Sequence, residues 1–171
     1  INSTRLGIKG SAALAEHMQI ARDLYLLEYT GGKLHIPTIS STTSVQLIKE
    51  AKKKGLKVSC SVSAHHLTLI DDELDFFDSK VRVTPPLRTK SVTKALLKGL
   101  KDGIIDVITS DHNPIDIEHK KLEFSLAKDG TIGLESLFGT VNSVLDIETT
   151  IKALTINPRA IFGQESITIE K

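Results

Sequence analysis

The sequence predicts an α/β fold on a parallel sheet, and three features carry that expectation. Short apolar, β-branched runs alternate with amphipathic stretches, the connections between them are short, and no tandem repeat or low-complexity tract interrupts the pattern. Strands joined through helices return in the same direction and so pair in parallel. Net charge is +1, from 22 basic and 21 acidic residues, which offers nothing to nucleic acid or an anionic membrane surface.

The elements follow in order. A helix is expected over 11–30, "SAALAEHMQIARDLYLLEYT", where Leu14, Met18, Ala21, Leu24 and Leu27 recur at helical spacing before Gly31-Gly32. "KLHIPTIS" supplies a strand at about 34–40, and "SVQLIKEAKKKG" a helix over 44–55 that Gly55 stops. "LKVSCSVS" alternates as a strand should, at about 57–63. After the less regular "AHHLTLIDDELDFFDSK", the run "VRVTPPLR" predicts a strand over 81–84, ended by two prolines. "SVTKALLKGLKDG" is a helix over 91–103 with a Ser cap and a Gly stop, and "IIDVITSD" a fourth strand at about 105–110. An irregular segment, 112–132, precedes two further helices, at 133–145 and about 147–156.

With 171 residues, 40% hydrophobic and 25% charged, the chain is long enough to bury one core. No apolar run approaches the roughly 18 residues of a membrane span. The single cysteine, Cys60, forms no internal disulfide, which fits a reducing, cytoplasmic compartment. The opening "INSTR" resembles no signal peptide and carries no initiator Met, so the chain reads as starting inside a longer protein.

Chemistry in parallel α/β proteins gathers at the carboxyl ends of strands. Those ends carry Thr38, then His65-His66, then Thr84 before Pro85-Pro86, then Asp111-His112. A carboxylate at the tip of an apolar strand costs several kcal/mol unless paired or bound to a cation. Imidazole and carboxylate on neighbouring strand ends are what a divalent metal and a hydrolytic water use. Taken singly, His65 also suits an ordinary core histidine, and Asp111 an Asx-turn before Pro114. Cys60 reads as a small buried hydrophobe, His66 as a packing residue, His17 and His119 as surface, and Arg88 as an anion stabiliser or a barrel-edge salt bridge.

Taken in order, "VSCSVSAHHLTLIDDEL", "VRVTPPLRTK", "DVITSDHNP" and "DGTIGLES" resemble the motifs of the dihydroorotase family, cyclic amidohydrolases on a (β/α)₈ barrel. The segments "STRLGIKGSAALAEHMQIARDLYLLEYTGGKLHI" and "ALTINPRAIFG" are similar to the stretch before the fifth strand and to the helix that closes the barrel. The resemblance covers nearly the whole chain. It implies a partial TIM barrel of about four βα units, strands five to eight, with residues 1–171 as a single region and the amino-half outside it.

The resemblance also implies a metal, zinc in most members, activating a water that opens the ring of dihydroorotate in pyrimidine biosynthesis. By position His65 resembles the metal-binding His of the sixth strand. Asp111 resembles the eighth-strand Asp that contacts metal and serves as general base and then acid. The remaining metal ligands belong to strands outside the chain, except the fifth-strand His, whose place Thr38 takes. Thr84 stands for a substrate-holding Asn, and Ile115 for a substrate-contacting His. Gly130 is retained in a loop that has lost its apolar lid residues. Ser61 and Ala64 also depart from the family pattern.

Two functions are therefore expected. One is a dihydroorotase-like hydrolase acting on a small cyclic amide with zinc. The other is a catalytically degenerate dihydroorotase kept as a structural partner, for example of aspartate transcarbamoylase. Open sheet edges and an apolar inner face further imply self-association.

Overall fold

The computed structural model describes residues 2–165. The elements are α1 (Asn2–Leu6), α2 (Ala13–Thr30), β1 (Leu34–Ile36), α3 (Thr42–Lys53), β2 (Val58–Ser63), α4 (Ala64–Thr68), α5 (Lys90–Lys101), β3 (Val107–Thr109), α6 (Ile117–Lys120), α7 (Leu137–Asn142), α8 (Ile147–Ile151) and α9 (Asn157–Ile161). A π turn, Lys152–Ile156, runs α8 into α9. Among the described residues no helix is long and apolar enough to cross a membrane.

The three strands form one parallel sheet in the order β1-β2-β3, with His35 opposite Ser59, Ile36 opposite Cys60, and Ser63 opposite Thr109. The strand expected over 81–84 does not form: Ser79–Val81 is a 3₁₀ turn and the chain from Arg82 to Thr89 is irregular. β-branched residues in V-R-V-T imitate a strand, but Pro85 and Pro86 have no N–H to give a ladder. β2 pairs with β3 directly, so His65 and Asp111 follow adjacent strands.

Alternation sorts the sheet's faces. Val58, Cys60, Val62, Ile36 and Ile108 join the core with Ile48 of α3 and Leu96 of α5. Truncating Ile48, which is fully buried, to Ala costs about 2–5 kcal/mol. The other face carries His35, Ser59, Ser61 and Ser63, with His35 Nδ1 2.8 Å from Ser59 Oγ. The expected apolar inner face is thus lined mainly by hydroxyls, with Val107 opposite Ser61 as an apolar member. On α2 the core-facing residues are Ile20, Leu24 and Leu27. Leu14 and Met18, which the helical spacing assigned to the core, point outward.

At the amino ends of the strands, Lys52 Nζ lies 2.7 and 2.9 Å from the two Asp106 oxygens. Asp106 Oδ2 also accepts from Cys60 N at 2.9 Å, and Asn157 Nδ2 donates to the Asp106 carbonyl at 2.7 Å. The half-buried pair pins α3 and the turn into α9 to the sheet end opposite the candidate site. Cys60 is buried beside it, and burial first, then the Asp106 charge, pushes its thiol up to about 12.

Candidate functional site

The site is built where β2 turns without a loop into α4. Ser63, last residue of the strand, is followed at once by helical Ala64, His65 and His66, all buried. This abrupt turn brings both imidazoles beneath one hydroxyl. Ser63 Oγ lies 2.9 Å from His65 Nε2 and hydrogen-bonds His66 Nδ1 as well. His66 Nε2 is 3.0 Å from the Pro85 carbonyl and 3.3 Å from that of Pro86. The irregular Pro-Pro segment thus packs as a lid on the second imidazole.

Asp111, after β3, stands with its Oδ2 3.7 Å from His65 Nε2. Its backbone is left-handed, φ 48°, as is that of Thr38 after β1, φ 45°. Such a conformation is costly for both residue types, more so for β-branched Thr. It lets each strand end turn sharply and re-aim a side chain. Burial lowers His65 to about 4. The same cause, followed by the neighbouring His65, lowers His66 to about 4 against smaller opposing effects of the Pro carbonyls and Asp111. Both rings are neutral at pH 7. His65 Nδ1 is buried and has no hydrogen-bond partner.

The remaining expected residues fall into two groups. Ile115 and Gly130 meet: a Cβ on Gly130 would sit 2.5 Å from the Asn113 carbonyl and 2.8 Å from Ile115 Cγ1, and the residue has φ 145°. Only glycine fits there. Thr84 instead turns away to Asp129, donating to its Oδ2 at 2.5 Å while Arg82 Nε donates to Oδ1 at 2.7 Å. Burial tends to raise the Asp129 carboxyl, but these two donors outweigh it and hold it below the usual range. Thr38 donates its N–H to Ser61 Oγ at 3.1 Å. His112 Nδ1 faces the amides of Gly133 and Leu134 at 3.2 and 3.3 Å, anchoring the 131–134 loop beside β3.

By sequence, several curated dihydroorotases align with almost all of this chain. That of Ruminiclostridium cellulolyticum is 38% identical over 174 residues, and that of Pelotomaculum thermopropionicum 41% over the same length; each alignment takes in 98% of this chain and 41% of the relative. The chain belongs to the dihydroorotase family. It spans about two fifths of the length of the relatives it matches. No family model matches it. Among solved structures, the L-hydantoinase of Arthrobacter aurescens superposes with a TM-score of 0.82 at 27% identity, over 90% of this chain and 36% of that one. A domain of the Chaetomium thermophilum CAD-like multifunctional protein, described as inactive and dihydroorotase-like, superposes with a TM-score of 0.61 at 26% identity, over 86% of this chain and 42% of that one.

Against the family expectation of a metal, this dihydroorotase-family chain offers a poor donor set. Among the described residues no three His, Cys, Asp or Glu side chains gather as a metal would require. His65 and Asp111 are one imidazole and one carboxylate, and Thr38 is a weak neutral oxygen. A metal-binding His passes its other ring N–H to an acceptor, and His65 Nδ1 has none. The residues present do not fit zinc.

Sequence reasoning missed the network behind this face. Glu16 of α2 accepts from Ser40 N at 2.9 Å and Ser40 Oγ at 2.5 Å, and from Ser44 Oγ. Arg88 donates to Ser40 Oγ at 3.2 Å and to the Ser11 carbonyl at 3.0 Å, with Glu16 3.9 Å away. Arg88 is therefore committed to structure. His17, expected at the surface, is half-buried with Nε2 2.7 Å from Ser41 Oγ. The one signal for this network was the cluster S-S-T-T-S at 40–44, more hydroxyls than one helix cap needs.

Proposed function

We propose that residues 1–171 are a single region, the carboxyl-terminal half of a dihydroorotase-like (β/α)₈ barrel domain whose metal chemistry is lost. It is retained as a structural partner, with aspartate transcarbamoylase the expected companion. The observation that carries this reading is the donor set at the strand ends. His65 and Asp111 lie 3.7 Å apart, and Thr38 occupies the place of a further imidazole. Ile115 packs at Gly130 and Thr84 is held by Asp129, so the two substituted substrate positions serve the fold. Likeness to a domain described as inactive and dihydroorotase-like agrees with this.

A second reading is favoured by Asp111. It stands half-exposed at the end of β3 beside a neutral imidazole, a suitable place for a general base. On that reading the amino-half supplies the metal ligands and the assembled protein interconverts dihydroorotate and carbamoyl aspartate with zinc. The test is metal content and dihydroorotate turnover of the natural full-length protein. The first reading expects no bound zinc and no turnover above a boiled control. Stoichiometric metal with turnover abolished by Asp111→Asn would overturn it in favour of the second.

A further inference from the structure

Which ring nitrogen of His65 carries the proton follows from its neighbours. The Pro85 and Pro86 carbonyls only accept, so the His66 nitrogen facing them, Nε2, is the donor. His66 is 1% exposed and has no carboxylate within ion-pair distance among the described residues, so a charge there would be buried unpaired, and its Nδ1 is a bare lone pair. Ser63, bonded to that Nδ1, must give its hydroxyl hydrogen there. The oxygen of Ser63 then has only lone pairs left for His65 Nε2, 2.9 Å away. His65 Nε2 therefore carries hydrogen. Two independent observations agree. The nearest carboxylate, Asp111, stands 3.7 Å from the same Nε2, where a lone pair would be repelled and an N–H attracted. Nδ1, which would carry the hydrogen in the other tautomer, is buried with nothing to receive it.

We infer that Pro85, His66 and Ser63 form a fixed hydrogen-bond relay that keeps His65 protonated on Nε2, making it a donor to Ser63 beside Asp111 rather than a metal ligand. The inference deepens the reading of a lost metal site and rests on it for its setting. Nε2 is blocked by its own proton, and Nδ1 is buried without a hydrogen-bond partner.

The test is a long-range proton–nitrogen correlation spectrum of the full-length protein labelled with ¹⁵N-histidine, with His65 assigned by the loss of its signals in His65→Gln. The expected spectrum shows Nε2 protonated and Nδ1 bare, unchanged by one equivalent of zinc. The same is expected in Thr38→His, whatever zinc the added side chain takes up. A proton on Nδ1, or a zinc-shifted Nε2 in either protein, would overturn the relay. The wild-type spectrum alone decides if Thr38→His does not fold. Failure of the relay is distinct from failure of the degenerate site, which turnover by the wild-type protein reveals in either tautomer.

Discussion

His65 and His66 are held neutral by burial, and that has a measurable consequence at the scale of single residues. Their folded values, about 4, lie below the 6.5 of a free imidazole, so below pH 6.5 the unfolded chain binds more protons than the folded one. Stability from these rings is complete above pH 6.5 and is lost as pH falls towards 4. At about 1.4 kcal/mol per unit, the loss approaches roughly 3 kcal/mol for each ring. Urea titrations at pH 7 and pH 4.5 should show it, and His66→Leu should flatten the slope by about half. A slope unchanged in His66→Leu would contradict the assignment. His65 and Asp111 were legible in the sequence because strand ends follow from periodicity and chemistry gathers there. Ser63 was not, because its role depends on where a carbonyl twenty-odd residues later comes to rest. Gly130 was legible as a retained glycine, but its cause, the Asn113 carbonyl 2.5 Å from a would-be Cβ, is a tertiary contact.

At the scale of elements, α2 does more than cover the sheet. Through Glu16 it joins the end of β1, the start of α3 and the segment carrying Arg88. Ser40 and Ser44 are fully buried, so removing the carboxylate strands a backbone N–H and two hydroxyls. Glu16→Ala should destabilise by about 3 kcal/mol and Glu16→Gln by less, since unmade buried hydrogen bonds cost about 1–3 kcal/mol. Equal unfolding midpoints in urea for Glu16→Ala and wild type would refute the clamp. α2, α3 and α5 were legible because amphipathic spacing and Gly stops are local signals. Gly31 closes α2 in the left-handed conformation with its N–H to the Leu27 carbonyl at 2.9 Å. The false strand at 81–84 shows the limit of the same signals: β-branched residues report a preference, while pairing is decided by which neighbour has donors to offer. The helix expected over 133–145 shortens to Leu137–Asn142 because Gly133 sits against the Ser110 carbonyl, 2.4 Å from a would-be Cβ, which commits that stretch to the loop.

For the whole molecule, self-association remains the expectation, with its basis moved. The sheet's second face is hydroxyl-rich, so the apolar surface to cover lies on α2, where Leu14, Met18, Tyr25 and Tyr29 are 62%, 65%, 72% and 85% exposed. Contiguous apolar surface of this kind marks an interface. β1 and β3 also have one unpaired edge each among the described residues. Sedimentation of residues 1–171 should show concentration-dependent dimers that Met18→Asp with Tyr25→Asp converts to monomers. A monomer at all concentrations would refute this.

The sealed position of Cys60 gives the chain a built-in clock. A thiol at about 12 in mid-sheet presents almost no thiolate to a labelling reagent. Reaction must wait until β2 parts from its neighbours, so the labelling rate in native buffer reports how often the sheet opens. A chain whose one sulfhydryl is buried and unpaired has no disulfide for a reducing medium to break.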